Sequence, residues 1–347
     1  MTLRIAFLGD TLLGGAAEVT LERRGYGYAM AGLRPLLAEA DLVVANHEGP
    51  LTRVEEPAQK AETGRKRYWY RGRPEAAAAL KEAGVGVVSL ANNHVLDFGV
   101  QGLIDTTEFL DQSGIGHCGA GQDARGARQP VVVTVAGCRI GFLSYMQRYD
   151  IYVREGLYAT DGQPGCARLR MRSVRQDLAA LEPITDLRVV LVHWGRNYRP
   201  VSARQERLAT ALRAAGADLV VGHHPHIPQR VDLRAAAPVF FSLGNGPLGT
   251  PGRFHSGRPP YGLVALIEID RSWRIVEVEI RAIAVDNGVV GFRPVPVPAD
   301  EEGRLVRSLV SADDQWLAAD PAQDGNAASH RWSRNPATAP NLGTRLG

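Results

Sequence analysis

Ala217-Asp218-Leu219-Val220-Val221-Gly222-His223-His224-Pro225-His226 decides how the rest of the chain is read. The apolar run reads as a buried strand. Its C-terminal end, where open α/β sheets place their chemistry, carries three imidazoles. Neutral imidazole is the commonest metal ligand among side chains. Three within four residues, held by a glycine and a proline, are hard to explain as packing.

The pattern recurs on either side. Residues 3–8 run into Gly9-Asp10, residues 42–45 into Asn46-His47-Glu48, residues 85–90 into Asn92-Asn93-His94, and residues 187–192 into His193-Trp194-Gly195. Taken singly, Asp10 could be a helix cap, Asn93 a turn residue and His193 a satisfied buried histidine. Recurrence at the same end of five strands predicts a metal site. Carboxylate, amide and imidazole ligands without thiolate suit Mn or Fe, with Zn also compatible.

Composition places limits on the rest. The chain has 347 residues, 45% hydrophobic and 22% charged, with a net charge of +3. That is ample for a core and too balanced to argue for nucleic acid or an anionic membrane as partner. Cys118, Cys138 and Cys166 form neither a disulfide framework nor a zinc knuckle, which points to a reducing compartment. No stretch reaches the roughly 18 apolar residues of a membrane span, and no leader with a cleavage site is evident. The expectation is a cytoplasmic protein.

Helical spacing is expected over residues 28–40, 74–84, 99–114, 171–181 and 205–215. Residues 131–135 and 139–144 read as a hairpin around Ala136-Gly137, and residues 263–269 and 275–283 as a late antiparallel pair. Residues 147–168 read as loop. The β-α alternation of the first half predicts an α/β fold, and the later hairpins a second, mixed sheet. One helix is expected over 305–310, and the polar tail from Asp320 is expected to be disordered.

Gly9-Asp10, Asn46-x-Glu48-Gly49, Ala91-Asn92-Asn93-His94-x-x-Asp97-x-Gly99, His193-Trp194-Gly195, Gly222-x-His224-Pro225-His226 and Phe241-Ser242-Leu243-Gly244-Asn245 occur in this order. As a set they resemble the CapA family, whose best-known members serve poly-γ-glutamate capsule synthesis, within the calcineurin-like metallophosphoesterase superfamily. The resemblance runs over about residues 3–283. It implies a four-layer αββα sandwich of two mixed sheets over residues 1–298, followed by a C-terminal extension over 299–347. It also implies one or two divalent metals. Asp10 and His226 would hold one, Asn93, His193 and His224 the other, and Glu48 would bridge them. His94 would serve as general acid or oxyanion donor. Where superfamily phosphatases place a histidine two residues after the first aspartate, this chain has Leu12, so the first site has fewer ligands.

Two reaction classes follow from the resemblance. One is a hydrolase using a metal-bound hydroxide on a phosphoester or a peptide or γ-glutamyl-type amide. The other is a metal-dependent peptide epimerase exchanging an α-proton, with Asp10 and His255 as the acid/base pair. A non-catalytic metal-binding accessory protein is the third possibility. The expected partner is a peptide, polyglutamate-like or phosphorylated substrate. Arg71 is its candidate contact on a basic rim at 65–73 interleaved with Tyr68-Trp69-Tyr70, together with Tyr198 and Asn245. His47 and His223 are expected to support neighbouring ligands, and Asp97 to orient the Asn92-Asn93-His94 turn.

Overall fold

A computed structural model of the chain describes residues 2–59, 68–235, 237–251, 259–318 and 330–338. His255 and residues 65–67 of the basic rim lie outside the described residues. Five strands carry the site: β1 (Leu3–Leu12), β2 (Leu42–His47), β3 (Val85–Ser89), β4 (Leu187–His193) and β5 (Leu219–His223). Their apolar runs are nearly continuous because both faces of each strand are covered.

The first sheet runs β1-β2-β3 in parallel. Tyr261–Ile269 pairs antiparallel with the free side of β1, and Ile275–Ala284 follows it. In the second sheet β5 and β4 are parallel, and Cys138–Met146 lies parallel to β4. The two sheets pack face to face: Ile5, Phe7 and Val44 meet Phe142, Val189 and Leu191 in one core. Helices cover both outer faces, with Leu80, Leu103 and Leu110 on the first sheet and Val174, Leu178 and Leu212 on the second. Each fully buried side chain of this size contributes roughly 1.5–3 kcal/mol. The architecture is the four-layer αββα sandwich of two mixed sheets.

Register brings the strand ends level. Asp10 pairs with Asn46 and Thr11 with His47 across β1-β2, while His193 pairs with His223 across β4-β5. Gly9 permits the approach of the loop before Asn245, since a Cβ there would stand 2.1 Å from the Gly244 carbonyl oxygen.

Several elements differ from expectation. β1 continues through Asp10 to Leu12 because Asn245–Leu248 pairs with it beyond the expected turn. Residues 28–40 form two short helices, Tyr28–Ala31 and Arg34–Leu37, since Gly32 and Pro35 break the helical hydrogen bonding. Within 147–168, Asp150–Arg154 is a helical turn and Gly165–Cys166 a short strand. The late helix is longer than expected, Ala299–Leu309. Its Glu302 carboxylate accepts the Ala282 N–H at 2.6 Å, which locks the extension to the first sheet. Disorder from Asp320 does not hold throughout. His330–Arg334 is a strand between Ile275–Ala284 and Trp316–Ala318, and its Trp332 enters the core between the sheets. No helix among the described residues is long and apolar enough to cross a membrane.

Candidate metal centre

Glu48 stands immediately beyond β2, fully buried, and neither carboxylate oxygen has a hydrogen-bond partner. Three imidazoles surround its Oε1: His226 Nε2 at 3.7 Å, His193 Nε2 at 3.8 Å and His94 Nε2 at 3.9 Å. These separations are too long for hydrogen bonds. They are of the order that two ligand bonds of about 2.1 Å to one ion would give. Ligand atoms of Glu48, His224 and His226 lie within 4.8 Å of one another. A buried carboxylate without a partner costs several kcal/mol. A divalent cation removes that cost, so the residues present fit a metal.

Of the remaining expected ligands, Asn93 reaches the same point and Asp10 lies behind it. Asn93 Oδ1 lies 2.8 Å from His193 Nε2, and the His193 and His224 rings are 4.5 Å apart. Asp10 sits behind His226, its Oδ2 3.2 Å from Nδ1. Asn245 Oδ1 also lies 3.0 Å from that Nδ1, so Asn245 supports His226. Together they leave Nε2 directed at Glu48. This is the supporting arrangement by which carboxylates orient metal-binding histidines.

The loop that delivers the histidines is strained. His224 and His226 have φ of 97° and 57°, in a region that costs non-glycine residues about 1–3 kcal/mol. The Asp10 carboxylate accepts the His224 N–H at 3.2 Å and helps to hold it. Gly222 is required two residues earlier, within β5. A Cβ there would meet the Phe241 carbonyl oxygen at 2.2 Å and Trp194 Nε1 at 2.5 Å, atoms already hydrogen-bonded to each other at 2.8 Å.

Electrostatics follow from burial and crowding. Burial pushes the Glu48 carboxyl well above its usual range, and Asp10 adds to this. Burial lowers His224 to about 3. It also lowers His193 well below its ordinary value, with the neighbouring imidazoles reinforcing the effect. Burial would lower His226 too, but Glu48 and Asp10 outweigh it and raise that ring to about 10. In the metal-free protein the charge on Asp10 is therefore balanced by the His226 imidazolium. Neutral His193 and His224 are in the form that binds metal.

His94 is held from two sides. Asp97 Oδ2 lies 2.7 Å from its Nδ1, and the Tyr70 ring stacks on it at 3.9 Å. Asp97 also accepts the Tyr70 N–H at 2.7 Å. Asn92 accepts the His94 N–H and donates to the His47 carbonyl, while Asn46 donates to Asp10 at 2.8 Å. His223 lies 3.2 Å from the Leu8 carbonyl oxygen through Nε2, which fits a supporting role. His47 has neither ring nitrogen hydrogen-bonded, and burial lowers it to about 4. Arg71 is engaged by the Val54 carbonyl and the Glu55 carboxylate. Tyr198 (φ 59°) places its ring 5.9 Å from His226. Leu12 packs with Tyr70 and Leu248 in a small apolar cluster.

The sequence pattern gives Asn46 and Tyr149 no role of their own and places Tyr70 on the substrate rim, whereas its ring stacks on His94. Asn46 is legible from its place in the Asn46-x-Glu48-Gly49 motif. Tyr149 lies in a stretch that reads as loop, yet its ring is 5.6 Å from His224.

Residues 4–246 match the family described as bacterial capsule synthesis protein PGA_cap. The chain belongs to this family. The capsule biosynthesis protein CapA of Bacillus anthracis is 34% identical over 249 residues, covering 70% of this chain and 59% of the relative. The PGA biosynthesis protein CapA of Bacillus subtilis (strain 168) is 29% identical over 245 residues, covering 70% and 62%. A probable polyglutamine synthesis accessory protein of Mycobacterium tuberculosis is 34% identical over 189 residues, covering 52% and 50%. The chain thus spans between 50% and 62% of the length of these relatives. The family match contains every expected metal ligand and stops before Tyr261–Ile269.

Proposed function

We propose that this chain is a metal-dependent hydrolase acting on a polyglutamate-like chain, cleaving a γ-glutamyl or related amide bond. A phosphoester is the second bond class the same centre would serve. The observation that carries the reading is Glu48, a buried carboxylate without hydrogen bonds among three inward-facing imidazoles. The choice of a polyglutamate-like chain comes from relatives named for capsule and PGA biosynthesis, read with the poly-γ-glutamate resemblance of the motifs.

Glu48, Asn93, His193 and His224 would hold one ion; His226 and Glu48 would hold a second, with Asp10 orienting the His226 ring from behind. The ligand types suit Mn, Fe or Zn. When bound, such an ion would supply Lewis-acid polarisation of a substrate oxygen. The chain's own residues supply proton transfer and order. Asp97 accepts the His94 Nδ1 proton, so Nε2, facing Glu48, is the nitrogen that exchanges a proton with the leaving group. The Tyr70 stack limits rotation of that ring.

The test uses protein reconstituted with Mn, Fe or Zn, against protein treated with chelator, on oligo-γ-glutamate and on an aryl phosphodiester in heavy water. Metal-dependent chain cleavage, lost in Glu48→Gln and reduced at least about hundredfold in His94→Ala, is the expected result. An unbroken peptide carrying a carbon-bound deuteron would overturn hydrolysis in favour of epimerisation. Elemental analysis of the same samples counts ions per chain.

A further inference from the structure

We propose that the cleft beside the metal centre is an anion-binding trough in which Arg196, Arg199 and Arg204 hold the carboxylates of an acidic peptide chain. The identity of that chain rests on the polyglutamyl reading above. The trough itself rests on geometry and charge.

A cleft of about 690 Å³ has His224 in its wall, together with Tyr149, Tyr152, Arg196 and Arg199. A neighbouring hollow of about 580 Å³ shares Tyr149, Gly195, Arg196 and Arg199 and continues to Ser202 and Arg204. The two form one path leading away from the metal centre. Among the described residues, no aspartate or glutamate lines either hollow. Among the described residues, Arg196, Arg199 and Arg204 make no ion pair, whereas Arg128, Arg139, Arg188 and Arg230 on the same half of the molecule are each paired with a carboxylate.

Further positive charge gathers nearby. Burial lowers the proton affinity of Arg168, and Arg170, Arg148 and Arg204 lower it further. The helix Ala203–Ala214 starts at the trough behind its Ser202 capping box, adding the positive end of its dipole. The Tyr149 hydroxyl donates to the Gly195 carbonyl at 2.5 Å, so the wall between the two hollows is braced. Clustered guanidinium groups repel one another, and an anion relieves that repulsion while using their fork geometry for carboxylate. A nucleic-acid groove would need a longer basic track in register with phosphates. A net charge of +3 leaves no such excess over the chain.

Fluorescence anisotropy with labelled oligo-γ-glutamate, at low and raised salt, tests this on the full chain with and without metal. Competitors are oligoglutamine of equal length, polyphosphate and single-stranded DNA. Expected is salt-sensitive binding of oligo-γ-glutamate that survives chelation. It should weaken at least about tenfold in Arg196→Gln/Arg199→Gln, with metal content and melting temperature unchanged. Arg204→Glu should weaken it independently. The proposal is overturned if wild type does not bind, if these folded variants bind as wild type does, if oligoglutamine binds equally, or if DNA or polyphosphate binds more tightly. Failure of the hydrolase reading looks different: binding persists and depends on arginine, while the metal-loaded protein leaves the bound chain intact.

Discussion

Glu48 is the residue on which the site turns. Its oxygens are buried and unbonded, so the metal-free protein bears a destabilising group that binding of a cation would convert into a ligand. Replacement by glutamine removes the ionisable group while keeping its shape. Glu48→Gln is expected to raise the melting temperature of chelator-treated protein by several degrees at neutral pH, since burial holds this carboxyl well above its usual range and an acid so raised destabilises the fold above its unfolded value. The same change should lower metal affinity at least about tenfold. Calorimetric melts with and without metal, beside metal titrations, check both halves. A lower melting temperature of the chelated variant would mean that Glu48 stabilises the apo form. The sequence made Glu48 visible as a carboxylate at a strand end. It could not show that Asp10 would lie behind His226, because that depends on the rotamer of a ring two strands away.

At the scale of elements, the strand ends align because parallel pairing fixes register, and register was partly legible from the apolar runs. The edges were less so. Val231–Leu233 is a short strand of the second sheet whose Asp232 is buried yet accepts from the Arg234 backbone N–H and guanidinium. Burial alone would raise this carboxyl, but the Arg234 hydrogen bonds and the Arg213 charge hold it at about 2. Its folded value is therefore below the unfolded one of 3.8. The resulting stability is present above pH 3.8 and is lost as pH falls through about 2. Asp232→Asn should cost about 1–2 kcal/mol at neutral pH. The gap between variant and wild type should close towards pH 2. Urea unfolding of both proteins across that range measures it, and a gap independent of pH would assign the cost to packing.

Across the whole molecule, the C-terminal segment completes the first sheet. His330–Arg334 covers the edge of Ile275–Ala284, and Trp332 and Trp316 fill the core between the sheets. Trp332→Ala should destabilise the fold by about 3–5 kcal/mol while leaving metal stoichiometry at saturation unchanged, as the site lies at the other side of the sheet path. Denaturant unfolding and elemental analysis together check this. Loss of metal from a still-folded variant would mean that the extension also shapes the centre. By itself, the sequence determined an α/β fold with a second, mixed sheet and five strand ends bearing polar groups, because apolar runs report burial and motif spacing reports where the chain turns; the four-layer αββα class was what the motif resemblance implied. Only the tertiary structure decided that residues 330–334 join the first sheet, that Tyr70 lies on His94, and that unpaired arginines flank the cleft. Each of these is a contact between distant segments, set by packing and charge balance rather than by local pattern.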